Sequence, residues 1–324
     1  MASGDVVEAR RKFAAEVARD LQRSPKELQP HHLYDGLGSS LFEAICRLPW
    51  YGITRGEGRL LESHAREVAA LAAGDAARAV LIAELGVGSG EKLATIVRQV
   101  PAERLAAIHL IDVSGAALDA AAARVAAGGD VVVMRCEGTY EEGLERLGGA
   151  TGSAVRTLVL FLGSNIGNFD RAAAGRLLAG IRGALRGGDL LLLGADLVKP
   201  AGRLVLAYDD PLGVTAAFNK NLLLRINREL GGTFDLASFT HRAVWNAEAR
   251  RVEMHLVSTR LQEVDIPGAG IRISFEAGES IWTESSYKYT GEEIVALAAD
   301  AGFGSVRQWI DEESQFALTL LAAS

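Results

Sequence analysis

Nine residues from Glu84 to Lys92 read Glu-Leu-Gly-Val-Gly-Ser-Gly-Glu-Lys, directly after an apolar run, Ala77–Leu85, with the length and composition of a buried strand. Glycines between a strand and a helix let main chain approach a ligand closely, and the first N–H groups of the helix favour negative charge. A phosphate-cradling P-loop needs Gly, Lys and then Ser or Thr after four spacers. Here Glu91 stands where that glycine should be and Leu93 replaces the hydroxyl, so the P-loop is excluded. The dinucleotide fingerprint fails for a related reason, because Glu91 also occupies its third glycine position. Asp112 closes a second apolar run, Ala106–Val113, where a carboxylate can accept from both hydroxyls of a ribose.

Such loops need a scaffold that brings them to one edge. A helix follows from about Lys92, the alanine-rich Gly115–Ala127 is helical, and Asp130–Arg135, Thr157–Leu162 and Leu190–Leu193 continue the strands, with a helix at about Ala172–Leu185. Short continuous apolar strands alternating with helices predict a parallel sheet covered on both faces, a doubly wound α/β domain. After Lys199 the pattern changes. Gly213–Leu230 is helical, followed by a strand–turn–strand pattern, Thr240–Asn246 with Val252–Arg260, and another around Ile271–Phe275 and Ser280–Ser286. Alternation sends Val252, Met254 and Leu256 to one face and Glu253 and His255 to the other. Antiparallel hairpins here predict an inserted second, smaller α+β domain. A helix, Gly291–Ala301, and strands at about Val306–Ile310 and Phe316–Leu321 then return to the first. The expected division is residues 56–198 plus 288–324, and residues 1–55 plus 199–287.

Composition bounds the partners. The 324 residues are 49% hydrophobic and 23% charged, as in globular proteins. A net charge of −7 and a pI near 5.5 argue against nucleic acid or an anionic membrane as the main partner. No apolar run reaches the roughly 20 residues that span a bilayer, and the N-terminal stretch lacks the apolar core of a signal peptide. Cys46 and Cys136 stand far apart and are expected as free thiols in a reducing cytoplasm. His31, His32, His241 and His255 are expected as surface or hairpin residues, with no metal site.

Glu84 to Gly90 resembles the E-x-G-x-G-x-G loop of class I methyltransferases, and five parallel strands with a terminal hairpin fit that sheet better than a dehydrogenase's. An acid at Asp112 would serve S-adenosylmethionine or a nicotinamide cofactor alike. Nearly end to end, the chain resembles the histidine Nα-methyltransferases of ergothioneine biosynthesis. The matching stretches include SPKELQPHHLYDGLGSSLFEAICRLPWYGITR, ELGVGSGEK, FLGSNIGNFD, AYDDPLGVTAAFNKNLLLRINREL and TESSYKYTGEEI. The resemblance implies that Gly86, Gly88, Lys92 and Asp112 contact S-adenosylmethionine, with Thr139 and Tyr140 in the loop that caps its adenine. It implies that Tyr34, Tyr51, Asn168, Tyr208, Glu284 and Ser286 line an amino-acid pocket, with Tyr34 and Asn168 closest to the chemistry. Two departures stand out. Thr139-Tyr140 replaces the family's frequent Asp-Phe, which removes a carboxylate acceptor from the adenine side, and Tyr51-Gly52 replaces its frequent paired tyrosines, which enlarges one pocket wall.

The residue types suit the implied reaction. Methyl transfer from a sulfonium is an in-line displacement needing no metal, so positioning and water exclusion supply most of the catalysis. Glu284 and Ser286 stand two apart in a strand and share a face. A carboxylate accepting from one imidazole nitrogen and a hydroxyl serving the other would select imidazole over benzyl or indole. Met254 would add an adaptable apolar wall, and Tyr34 and Tyr51 would offer aromatic faces to a methylated cation. Asn168 has both donor and acceptor atoms for an amino acid, and Tyr208 or Tyr34 could relay a proton. The implied product is the trimethyl betaine of histidine, hercynine, made by a monomer acting on a free amino acid. The same chemistry on tryptophan or tyrosine remains an alternative, followed by a nicotinamide-dependent dehydrogenase or a non-catalytic cofactor-binding module.

Overall fold

The computed structural model describes residues 3–74, 78–126, 131–150 and 155–324. In chain order it runs α1 (Ser3–Leu21), β1 (Lys26–Glu27), α2 (Gly36–Cys46), α3 (Gly52–Ala73), β2 (Ala79–Leu85), α4 (Glu91–Val97), β3 (Leu105–Asp112) and α5 (Gly115–Ala126). There follow β4 (Val133–Glu137), α6 (Tyr140–Ala150), β5 (Val155–Phe161), α7 (Arg171–Ala184), β6 (Leu190–Asp196), α8 (Ala201–Tyr208) and α9 (Val214–Leu230). The chain ends with β7 (Phe239–Asn246), β8 (Arg251–Ser258), β9 (Gln262–Ile266), β10 (Ile271–Phe275), β11 (Ser280–Tyr287), α10 (Gly291–Asp300), β12 (Phe303–Asp311) and β13 (Phe316–Ala323). It divides into two compact units, Met1–Gly52 with Lys199–Tyr287, and Ile53–Val198 with Lys288–Ser324.

The larger unit is a seven-stranded sheet in the order β12-β13-β6-β5-β2-β3-β4. The five strands from β6 to β4 are parallel, and β13 runs antiparallel to β6 with β12 antiparallel outside it. This is the expected doubly wound sheet with its terminal hairpin. Residues 190–196 are buried without a break, as a strand covered on both faces must be. The strand order reverses between β2 and β5, so their carboxyl ends open the crevice where ligands of such sheets bind. The chain leaves this unit after β6 and returns before α10. Exit and return are stitched together by Val198 N–H to the Tyr289 carbonyl (2.9 Å) and by a fully buried Lys288–Asp196 ion pair at 2.8 Å.

The smaller unit is a sheet in the order β1-β11-β8-β7 with α9 against β7 and β8, and a separate β9–β10 hairpin. Phe218, Leu222 and Ile226 on α9 are buried, as are Met254 and Leu256 on β8. Two expectations are corrected. Ile271–Phe275 and Ser280–Ser286 do not form a hairpin: β10 pairs with β9, while β11 pairs with β8. In β9, Gln-Glu-Val-Asp-Ile buries only Val264 and Ile266, too faint an alternation to read as a strand. The strand expected at Asp130–Arg135 runs Val133–Glu137, with residue 130 outside the described ones. As the edge strand it carries exposed Met134 and Arg135, although Val132 already accepts a hydrogen bond from Ile108.

Candidate functional site

In the larger unit the glycine loop turns from β2 into α4. Gly86, Gly88 and Gly90 have φ of +76°, +50° and +71°, the left-handed region that glycine enters without strain. A Cβ at Gly86 would lie 2.8 Å from the Asn165 amide nitrogen and 3.0 Å from the Tyr140 hydroxyl, whereas one at Gly88 would meet nothing within 4 Å. Main chain at Gly88 therefore opens onto free space. Asp112, at the end of β3, accepts from Ser114 N–H (2.9 Å) and more distantly from Gly88 N–H (3.4 Å). Burial raises its pKa in spite of these bonds. The Tyr140 ring stands edge-on to Phe161 at 5.5 Å, and burial raises its phenol too. Gly86, Gly88, Asp112 and Tyr140 are thus neighbours at one end of the sheet. Thr139 is exposed and committed elsewhere: its hydroxyl accepts from Glu142 N–H while the Glu142 carboxylate accepts from Thr139 N–H, a capping box that starts α6.

Glu57, on α3, was not anticipated from the sequence. Its side chain is fully buried, Oε1 accepts from Gly163 N–H at 2.7 Å, and Oε2 forms an ion pair with Lys92. It holds the lysine of the glycine loop and the turn after β5 together. Room for it comes from Gly194, where a Cβ would stand 2.2 Å from Oε1. Glu84 is also buried, and its Oε2 has no hydrogen-bond partner among the described residues. Burial raises its pKa well above the ordinary carboxyl value, and Glu57 and Asp112 push the same way against the lowering effect of Lys92. An orphaned carboxyl beside two further acids fits a cationic ligand, such as a sulfonium bearing an ammonium group.

A pH dependence follows from Glu84. A cation bound nearby favours its charged form, so binding drives proton release and tightens as pH rises towards the raised pKa. Titration calorimetry of S-adenosylmethionine over a series of rising pH should show rising affinity and net proton release, both lost in Glu84→Gln. Affinity that is flat or falls with pH in the wild-type chain would refute the linkage.

The other expected residues lie in the smaller unit. Tyr208 ends α8 and donates to Ser286 Oγ at 2.8 Å, with both side chains buried. Glu284 is opposite Met254 in the β11–β8 register and Ser286 opposite Val252, so all four share the buried face. This sharing depends on a β-bulge. Thr283 is an extra residue between Trp282 and Glu284, its hydroxyl bonded to the Met254 carbonyl at 3.0 Å. Counted from buried Ile281, an unbroken strand would turn Ser285 inward, and the bulge gives that place to Glu284 and Ser286. Tyr51 stands edge-on to Tyr208 at 6.1 Å, and Tyr34 packs against Phe42 and Phe218, each at 5.5 Å. Burial, reinforced by Tyr208, Cys46, Tyr34 and Glu284, keeps Tyr51 a neutral phenol.

Second-rank supports fix these side chains. Asp35, next to Tyr34, caps α2 by accepting from Gly38 N–H, and also binds Asn221 and Arg228, each at 2.7 Å. Burial opposes its charge, but these bonds prevail and hold its pKa low. His241, expected as a surface or hairpin residue, lies on the β7–β8 hairpin with its side chain covered, where it acts as a brace: Asn219 donates to Nδ1 (2.9 Å), so Nε2–H donates to the Tyr208 carbonyl (2.7 Å). His255 is also largely covered, beside Glu253. His31 and His32, expected to form no metal-ligand group, converge on Glu16, and His32 is buried. Asn168 is exposed at the end of the short helix Asn165–Asn168 in the larger unit.

The comparisons with known proteins agree with this chemistry. The model of a family described as "Histidine-specific methyltransferase, SAM-dependent" matches residues 13–323. The chain is 40% identical over 323 residues to a histidine N-alpha-methyltransferase of Mycolicibacterium smegmatis, a match covering 99% of this chain and 97% of that one. A protein of the same name from Mycobacterium tuberculosis is 40% identical over 312 residues, 95% of this chain and 94% of its own. An L-tryptophan methyltransferase of Psilocybe serbica is 26% identical over 323 residues, 92% of this chain and 89% of its own. With its glycine loop, strand-end acid and antiparallel terminal hairpin, the larger unit has the class I S-adenosylmethionine-dependent methyltransferase fold, and the chain belongs to the histidine-specific, S-adenosylmethionine-dependent methyltransferase family.

Proposed function

We propose that this enzyme transfers methyl groups from S-adenosylmethionine to the α-amino group of free L-histidine, up to the trimethyl betaine hercynine. The observation that carries the choice of histidine is the Tyr208–Ser286 hydrogen bond on the face shared with Glu284. Because Ser286 Oγ accepts from Tyr208, its own hydrogen is directed to a different acceptor. A neutral imidazole has one N–H and one lone pair. Glu284 accepts from the first and Ser286 donates to the second, whereas indole has an N–H but no such lone pair and a phenol carries both functions on a single oxygen. Met254 closes the apolar side of the ring.

S-adenosylmethionine, when bound, supplies a methyl group on a positively charged sulfur. Main chain at Gly86 and Gly88 and the acids at Glu84 and Glu57–Lys92 hold its amino-acid end, Asp112 its ribose, and Tyr140 with Thr139 the adenine side. Asn168 orients the amino acid's polar end. The histidine nitrogen, as a neutral amine, forms the new N–C bond as the C–S bond breaks, and after the first and second transfers it then loses a proton. We assign Tyr34 to pass that proton towards water, since it is less buried than Tyr51 and Tyr208. Positive charge that becomes permanent on the third transfer is accommodated by the faces of Tyr34 and Tyr51. The enzyme is taken to act as a cytoplasmic monomer, in keeping with the free thiols Cys46 and Cys136.

Mass spectrometry of the protein with S-adenosylmethionine and all twenty amino acids in one mixture tests the substrate. Mass gains of one to three methyl groups on histidine alone are expected. Methylation of tryptophan or tyrosine instead would overturn the imidazole reading and leave the cofactor chemistry standing. Cofactor binding without any methyl transfer would favour a non-catalytic module.

A further inference from the structure

Away from the residues assigned above, three side chains of the smaller unit converge. His31 Nε2 lies 3.1 Å and His32 Nε2 3.0 Å from the same oxygen of Glu16, Oε2. The two imidazoles adjoin, with ring centroids 4.0 Å apart. His32 is only 4% exposed, and its Nε2 has no hydrogen-bond partner among the described residues, since the Glu16 oxygen sits off its donor direction. A buried imidazole nitrogen facing a carboxylate oxygen with no proton shared between them is an unfavourable arrangement. We propose that Glu16, His31 and His32 form a binding site for a divalent transition metal, zinc above all.

Geometry and ligand chemistry both favour it. Zinc takes histidine nitrogen at about 2.0–2.1 Å and carboxylate oxygen at about 2.0–2.2 Å, so two ligand atoms on a tetrahedral ion lie about 3.3 Å apart. The two Glu16 distances fall close to that value. Two imidazoles with one carboxylate suit zinc rather than calcium or magnesium, which prefer oxygen. His31 is more than half exposed and can adjust its ring to an incoming ion. Three protein ligands would leave a fourth position for water.

The consequence is local bracing. Glu16 lies on α1, while His31 and His32 lie on the short helix Pro30–Leu33, whose next residue is Tyr34. Arg225 of α9 already donates to the His32 carbonyl at 2.9 Å. A bound ion would add a second tie, from α1, to the segment that presents Tyr34.

The test uses the full chain, stripped with a chelator, and zinc alone as probe, with competition against a chromophoric chelator and thermal unfolding as readouts. One equivalent of zinc should bind and raise the unfolding temperature. His31→Ala and Glu16→Gln, one exposed and one isosteric, should each weaken binding by about tenfold or more, the scale seen when zinc sites lose even an outer partner, and abolish the thermal shift. Zinc binding that is unchanged in both variants, or the absence of a stoichiometric site in the wild-type chain, would overturn the proposal.

Discussion

Glu284→Ala should lower kcat/KM for histidine by roughly 30- to 1,000-fold while changing the affinity for S-adenosylmethionine by less than about twofold. Removing a charged, buried hydrogen-bond partner costs about 2–4 kcal/mol, because the imidazole N–H enters the pocket with nothing to accept it. Every 1.4 kcal/mol is tenfold. Steady-state kinetics with each substrate varied, beside calorimetry for the cofactor, separates the two ligands. Glu284→Gln should fall between wild type and alanine, since its amide oxygen still accepts but carries no charge. Equal losses for both ligands would mean that Glu284 supports the fold rather than the substrate, and no loss would remove it from the pocket.

That prediction depends on a feature the amino-acid sequence conceals. Two residues two apart share a face in any regular strand, so the pairing of Glu284 with Ser286 is legible from spacing alone. Which face they share is not. Thr283 is an ordinary strand residue, and nothing in Ser-Ile-Trp-Thr-Glu-Ser-Ser announces the bulge that moves Glu284 and Ser286 to the side of Met254 and Ile281. Bulges arise from pairing with a partner strand, a long-range event without a local signature. Similar limits apply to β9, whose two apolar residues gain their meaning only from β10, and to the edge strand β4. By contrast the sheet around β2, β3, β5 and β6 is written in continuous apolar runs, and its glycine loop in a backbone requirement that few residues other than glycine meet.

The histidines show the opposite failure. Hydrophilic on average, His32 and His241 read as surface or hairpin residues, and nothing local shows that one turns inward beside Glu16 or that the other, on its hairpin, spans Asn219 and the Tyr208 carbonyl. Imidazole is small enough to be buried, and for His241 residues tens of positions away occupy both ring nitrogens. Glu57 is the harder case, because a glutamate in an amphipathic helix is unremarkable. A faint signal existed in Gly194, which breaks the leucine run of β6 at the place where Glu57 needs room.

Glu57→Ala should be the most damaging single change in the larger unit. It deletes a fully buried carboxylate that accepts from Gly163 N–H and neutralises Lys92, leaving one unsatisfied main-chain donor and one cation without its partner. Breaking a buried ion pair from one side costs about 3–5 kcal/mol, and in a unit of this size each kcal/mol shifts Tm by about 2–4 °C. A fall of roughly 6–20 °C is therefore expected in a thermal melt. Such a loss alone would not separate a structural role from a part in holding cofactor, and Glu57→Gln makes that distinction. The amide oxygen still accepts from Gly163 and fills the space beside Gly194, so most of the stability should return. Lys92, however, then faces an uncharged amide and is no longer drawn to the turn after β5. Cofactor affinity should stay about tenfold or more below wild type in Glu57→Gln, as when a supporting shell around a bound ion is lost, even though the melt is nearly restored. Recovery of both together would reduce Glu57 to a packing role. Recovery of stability alone would make it the residue that positions Lys92.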